Sequence, residues 1–227
     1  MIVTIDGPAG VGKSTVTLAL AARHGFEYLD TGAMYRAVAL AMLRRNIDVT
    51  NESLVTAALP DVTIEMPPGR VLLNGENVAK LIRTPELSLG SSAVSKHTAV
   101  REKLVRAQRQ SAHGRDIVCE GRDQGTVVFP TAECKIFLTG SAHARAERRA
   151  AELNAKGTAI TVEQVLAEQA KRDHDDAVRN AGPMVPAHDA MILDTTLLTM
   201  NEVIERLDHV VRDIRSCLLS QSRRTKR

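Results

Sequence analysis

Two periods govern the apolar and polar positions of this chain. Ile2-Val3-Thr4-Ile5 is a short β-rich run stopped by Asp6-Gly7-Pro8, after which apolar residues recur at helical spacing through Val16, Leu18, Ala19, Leu20 and Ala22. The pattern predicts strand, glycine loop and helix in that order. A second short strand around Phe26 to Leu29 precedes a helix from about Gly32 to Arg45. Later apolar runs at Ile117 to Cys119, Cys134 to Leu138 and Met191 to Leu193 alternate with helical segments. Strands alternating with helices mean a mostly parallel sheet covered by helices on both faces.

One stretch breaks the alternation. Val62-Thr63-Ile64-Glu65, Val71-Leu72-Leu73 and Glu76-Asn77-Val78 are separated by Pro67-Pro68-Gly69 and by the turn signal Asn74-Gly75, so short turns join strands directly. This predicts a small antiparallel β insertion over 62–83, followed by a helix opened by Thr84-Pro85-Glu86 and another from about Thr98 to Ala112. Thr161-x-x-Gln164 and Thr199-x-x-Glu202 are capping-box signatures. The second opens an amphipathic helix whose Val203, Ile204, Leu207, Val210, Val211 and Ile214 face the core. The expectation is one domain over 1–221 and a basic, disordered tail at 222–227.

Composition narrows the function classes. Aromatic residues make up 2% of the 227 positions and Trp is absent, which argues against a base-stacking surface. Arg223, Arg224, Lys226 and Arg227 supply the net positive charge; without them 26 basic residues face 27 acidic ones, and no basic groove is implied. Cys119, Cys134 and Cys217 form no Cys-x-x-Cys pair and read as reduced thiols. No basic leader or secretory apolar region is present, and no stretch approaches the ~18–20 apolar residues of a membrane span. A cytoplasmic monomer without nucleic-acid or membrane partners is expected.

The strongest chemical signal is Gly7-Pro8-Ala9-Gly10-Val11-Gly12-Lys13-Ser14, which fits G-x-x-x-x-G-K-[ST] between a strand and a helix. Glycines let the backbone wrap a phosphate, so that successive N–H groups and the helix N-terminus point at the anion. The cofactor-binding residues are therefore Gly7 through Thr15, with Lys13 reaching the β- and γ-phosphates of ATP and the Ser14 hydroxyl on Mg²⁺. The chain lacks Asn-Lys-x-Asp and Asp-x-x-Gly motifs, which disfavours a GTPase, and its size suits a small-molecule kinase. Asp30 is open to two readings, orienting Mg²⁺-bound water or capping the helix from Gly32.

Three segments together resemble bacterial cytidylate (CMP) kinases: Ile5 to Thr15, Leu29-Asp30-Thr31-Gly32-Ala33-Met34-Tyr35-Arg36, and Glu120-Gly121-Arg122-Asp123-Gln124-Gly125-Thr126 through Pro130. Ile82-Arg83-Thr84, Val100-Arg101-Glu102 and Arg172-Asp173-His174-Asp175-Asp176 extend the likeness to about residues 2–215. Departures are mild: Thr31 stands where Ser is common, Glu120 where Asp is frequent, and Gln124 where Ile or Met is usual. The resemblance implies an α/β fold of the P-loop nucleoside monophosphate kinase type, with the insertion enlarging the monophosphate-binding part and a helical lid at about 143–180.

The same resemblance implies that Thr31, Arg36, Arg122, Arg172 and Arg179 gather around the acceptor phosphate and the transferring phosphoryl group. Guanidinium forks suit that task because they neutralise charge spread over phosphoryl oxygens. Ser92, Arg101 and Asp123 would face the cytosine, Asp176 a ribose hydroxyl, and Arg145-Ala146-x-Arg148-Arg149 would form the donor-side entry of the lid. The implied reaction is phosphoryl transfer from MgATP to CMP or dCMP. The competing readings are a kinase for thymidylate, UMP or a non-nucleotide acceptor, and a module that binds ATP only as a ligand.

Overall fold

The structure, a computed structural model, describes residues 1–155 and 157–225. In chain order it contains β1 (Ile2–Asp6), α1 (Lys13–His24), β2 (Glu27–Asp30), α2 (Thr31–Arg44) and α3 (Glu52–Ala58). A 3-10 turn, Leu59–Asp61, leads to β3 (Ile64–Glu65), β4 (Leu72–Leu73) and β5 (Glu76–Asn77). α4 (Pro85–Val94), α5 (Thr98–Ala112), β6 (Ile117–Gly121) and a π turn at Gln124–Val128 follow. The chain continues through β7 (Cys134–Thr139), α6 (Ala142–Ala155), α7 (Val162–Val178), β8 (Met191–Asp194) and α8 (Met200–Thr225). The single domain expected over 1–221 resolves into two compact units.

The first unit holds Met1–Tyr28, Arg115–Val178 and the chain from Gly182 onward. Its sheet has the order β2-β6-β1-β7-β8, with β6 and β7 parallel to β1 on either side. Asp6 lies opposite Gly121 across the β1/β6 ladder, so the glycine loop after β1 and Arg122-Asp123 after β6 leave the same edge of the sheet. In open α/β sheets that carboxyl edge is where ligands bind. Val3, Ile5, Leu20, Ile136, Leu138, Leu207 and Val211 build the core between sheet, α1 and α8. Each fully buried Leu or Ile there stabilises the fold by about 1.5–3 kcal/mol.

α6 and α7 form the expected helical lid, packed on Ala146, Ala150 and Val165. Its second helix starts on the expected capping box: Gln164 N–H donates to the Thr161 hydroxyl at 3.3 Å and Thr161 N–H to the Gln164 side chain at 2.9 Å. Thr199 and Glu202 make the same exchange at the start of α8. α8 continues through Thr225, so residues 222–225, expected as disordered tail, have helical backbone; Lys226 and Arg227 lie outside the described residues. Arg is a good helix former, and nothing in Ser222-Arg223-Arg224-Thr225 breaks the ladder of hydrogen bonds. No helix among the described residues is long and apolar enough to cross a membrane.

The second unit holds Leu29–Gly114 with Arg179–Ala181. Its core is the alanine-rich face of α2, with Ala33, Met34, Ala37, Val38, Ala41 and Met42, packed with Ile82, Leu87 and Leu104. Small residues let helices approach closely: a Cβ on Gly90 of α4 would stand 3.1 Å from the Ala39 methyl of α2. The β insertion forms as expected, in the order β3-β4-β5. Asn74 and Gly75, both at positive φ (49° and 83°), make the two-residue turn that pairs Leu73 with Glu76. Thr84 caps α4 by accepting Leu87 N–H at 3.2 Å, with Pro85 at the first helical position.

Candidate active site

The phosphate loop is built by backbone constraints that only its own sequence meets. At Gly7 a Cβ would lie 2.2 Å from the Leu138 carbonyl oxygen, and Gly12 turns into α1 at φ 95°, a left-handed conformation open to glycine. α1 begins with no side-chain cap and no acidic residue in its first turn. Its leading N–H groups and dipole are thereby left for an anion. Lys13 folds back over the loop, donating to the carbonyls of Gly7 at 2.8 Å and Pro8 at 2.7 Å, with 8% of its surface exposed. Burial pushes its pKa well below the ordinary lysine value, and the neighbouring Arg122 and Arg172 push the same way against Glu120 and Asp6. Lys13, Arg122 and Arg172 thus share one electrostatic field, as a polyanionic ligand needs.

The Ser14 hydroxyl is exposed at the start of the same helix. A hard oxygen donor beside a phosphate loop fits Mg²⁺, which takes its other ligands from phosphate and water. Among the described residues no group of three His, Cys, Asp or Glu gathers for a metal.

Beyond β6 the backbone tightens into the π turn, closed by Phe129 N–H on the Gln124 carbonyl at 2.7 Å. Asp6 holds this turn, its two oxygens accepting Gln124 N–H at 2.9 Å and Gly125 N–H at 2.8 Å. The carboxylate thereby fixes the peptide that follows Asp123, itself buried. Arg122 donates from Nε to Asp176 on α7 at 2.8 Å and from Nη1 to the Gly121 carbonyl at 3.2 Å. Of the expected residues, the phosphate loop, Arg122, Asp123, Arg172 and Asp176 therefore belong to the first unit.

Burial pushes the Asp6 pKa up to about 6, against the two N–H bonds and with help from the charge of Asp123. An unfolded Asp titrates near 3.8, so the folded chain binds this proton more tightly between those values. The stability it contributes is present in acid and lost as pH rises through about 6, by ~3 kcal/mol at most. The carboxyl carbon of Asp6 should titrate with a midpoint near 6 in a carbon-detected NMR series. A midpoint below about 4.5 would show that the N–H bonds outweigh burial.

The second unit carries Thr31, Arg36, Ser92, Arg101 and Arg179. Asp30 caps α2 by accepting Ala33 N–H at 2.8 Å, and it also pairs with Arg36 at 3.1 Å and Arg83 at 2.8 Å. Of its two sequence readings, the cap is the one seen. Arg36 keeps a buried Nε with no hydrogen-bond partner among the described residues. A guanidinium held by a carboxylate on one side with an N–H still to give is poised for an anion. Thr31, the first residue of α2, is buried. Arg101, 3% exposed, donates to the Tyr35 hydroxyl at 3.3 Å, and Ser92 donates to the Ser88 carbonyl at 3.4 Å.

Sequence reasoning gave no role to Arg83, which shares Asp30 with Arg36 from 53 residues away, nor to Asp6. Arg83 lay within the quoted Ile82-Arg83-Thr84 likeness, and that was its only signal. Burial raises the pKa of the Cys119 thiol and pushes that of Cys134 up to about 12.

The family model for cytidylate kinase matches residues 3–213. The chain belongs to the cytidylate kinase family. The cytidylate kinase of Caldanaerobacter subterraneus subsp. tengcongensis is 47% identical over 92% of this chain and 94% of its own. That of Thermosipho melanesiensis is 46% identical over 93% and 96%. Among solved structures, a gluconokinase from Sinorhizobium meliloti 1021 aligns over 97% of this chain and 96% of its own, with 16% identity and a TM-score of 0.46. As a cytidylate kinase family member the chain is an ATP-dependent kinase of P-loop type, and the expectation drawn from its three motif segments is met.

Proposed function

We propose that this kinase transfers the γ-phosphoryl group of MgATP to CMP or dCMP, giving ADP and CDP or dCDP. The observation that carries the reading is the phosphate loop with Lys13 in one field with Arg122 and Arg172, a set of donors and cations suited to a triphosphate in transfer. The acceptor phosphate has a second pKa of ~6, so at neutral pH it is already a nucleophile and no catalytic base is required. Its oxygen attacks the γ-phosphorus in line, the bond to the bridging oxygen breaks, and ADP leaves with the electron pair.

The chain's own groups do the positioning. Gly7 and Ala9 to Thr15 offer backbone N–H groups, and Lys13 exchanges its two carbonyl partners for phosphate oxygens. Arg36, Arg122, Arg172 and Arg179 neutralise the acceptor and the transferring group, with Thr31 adding a hydroxyl. Ser92, Arg101 and Asp123 read the base, and Asp176 takes a ribose hydroxyl. Ser14 would hold Mg²⁺, which would supply charge neutralisation to the triphosphate. The α6–α7 lid excludes water, the competing acceptor.

Coupled ADP release with CMP, dCMP, UMP, AMP, GMP and dTMP tests this: CMP and dCMP should dominate. A preference for another acceptor would reassign the substrate, and acceptor-independent turnover would overturn the kinase reading. The near balance of 26 basic and 27 acidic residues outside the tail offers no basic groove for nucleic acid, which supports small-molecule partners. Removing residues 222–227 should leave CMP-dependent turnover within about two-fold, as measured by the same assay. A larger loss would give the basic tail a role.

A further inference from the structure

The lid carries a carboxylate for which the proposed reaction has no use. Asp173 of α7 accepts the backbone N–H of Ala9 at 3.0 Å through Oδ1, and Nη1 of Arg145 at 2.6 Å through Oδ2. The same Arg145 nitrogen donates to the Ala9 carbonyl at 2.7 Å, and its Nε to the Gly140 carbonyl at 3.1 Å. Both polar groups of one phosphate-loop residue are therefore taken by lid side chains, in a site where Arg145 is 9% and Asp173 15% exposed. Gln169, one turn earlier on α7, closes over the neighbouring residue: a Cβ on Gly10 would stand 2.3 Å from its Nε2.

An N–H of a phosphate loop is an anion donor, and a carboxylate oxygen is the protein group most like a phosphate oxygen in charge and hydrogen bonding. The two cannot lie on the same N–H together. From this geometry we infer that Asp173 is a latch. It holds the Ala9 N–H as an internal anion, and donor phosphates displace it, taking over Arg145 as they do. The inference rests on the donor-site reading given above. It assigns Asp173 a positioning role with a measurable sign: the latch opposes binding of polyphosphate, so weakening it strengthens that binding.

Asp173→Asn keeps the shape and an oxygen for the Ala9 N–H but removes the charge that holds Arg145. Calorimetric titration of the full chain with MgATP and with inorganic tripolyphosphate should give dissociation constants ~3–10-fold lower than wild type, with the ligand-free melting midpoint little changed. Tripolyphosphate isolates the phosphate contribution, because it has no base or sugar. If Asp173 only braces the lid, both ligands bind equally or more weakly and the latch is refuted. Should the Asn variant not fold, Asp173→Ala carries the same readout. The two failures are separable: wild type that binds neither ligand overturns the donor-site reading itself, whereas wild type that binds both and a variant that gains nothing overturns the latch alone.

Discussion

Lys13→Ala is expected to lower CMP-dependent turnover by at least ~10³-fold while the chain stays folded. The Lys13 ammonium lies over the loop, bound to the Gly7 and Pro8 carbonyls. Its charge is held in a buried setting where burial already disfavours it, so its interaction with an arriving triphosphate is little screened. Losing a preorganised donor to a developing oxyanion costs ~10²–10³ in turnover elsewhere, and here a full charge goes with it. Stability should move by only ~1–2 kcal/mol, because two carbonyls lose a partner while a costly buried cation is removed. Steady-state kinetics alongside thermal unfolding checks both halves. Turnover within ten-fold of wild type in a folded variant would contradict the donor assignment.

Base choice should depend on Asp123. Cytosine presents an amino donor beside a ring-nitrogen acceptor, which a carboxylate and a guanidinium answer in turn; uracil reverses both groups. Asp123 is buried and the peptide that follows it is held by Asp6, which limits how far the backbone can carry the carboxylate. Arg101 is equally constrained by burial and by Tyr35. Mismatched buried charges cost several kcal/mol in the worst case, so CMP should exceed UMP by at least ~10²-fold in kcat/KM. Asp123→Ala should shrink that ratio mainly by damaging CMP turnover, whereas Lys13→Ala lowers both substrates together. A CMP preference that survives Asp123→Ala unchanged would place base reading elsewhere.

The parts of this account that were legible in the sequence are those set by neighbours along the chain. The phosphate loop announces itself through Gly, Lys and Ser at a strand-to-helix junction, and the caps at Thr84, Thr161 and Thr199 follow from side chains three residues apart. The hairpin at Asn74-Gly75 is equally local. Strand limits differ from the expected ones by one or two residues, and at β2 local geometry overrides propensity. Phe26 reads as β, but Gly25 takes a left-handed turn after α1 and Phe26 N–H returns to the Ala21 carbonyl, so β2 starts at Glu27. α3 has seven residues, too few to show a helical period, although its Asn51 cap was there to be read.

The remainder depends on residues far apart in sequence. Asp6 meets Gln124 across 118 positions and Asp173 meets Ala9 across 164, and no spacing rule announces either pair. The proposed site arginines rest on family motifs, because a guanidinium on a helix looks the same from sequence whether it faces solvent or a phosphate. The structure adds the partners: Asp30 for Arg36, Asp176 for Arg122 and Asp173 for Arg145.

Phosphorus NMR of the enzyme with MgATP and CMP follows atom by atom the transfer of one phosphoryl group to one acceptor phosphate. CDP and ADP should appear in equal amounts, with no inorganic phosphate until CMP is supplied and almost none afterwards. Inorganic phosphate released without CDP, or ATP left intact beside CMP, would contradict that transfer.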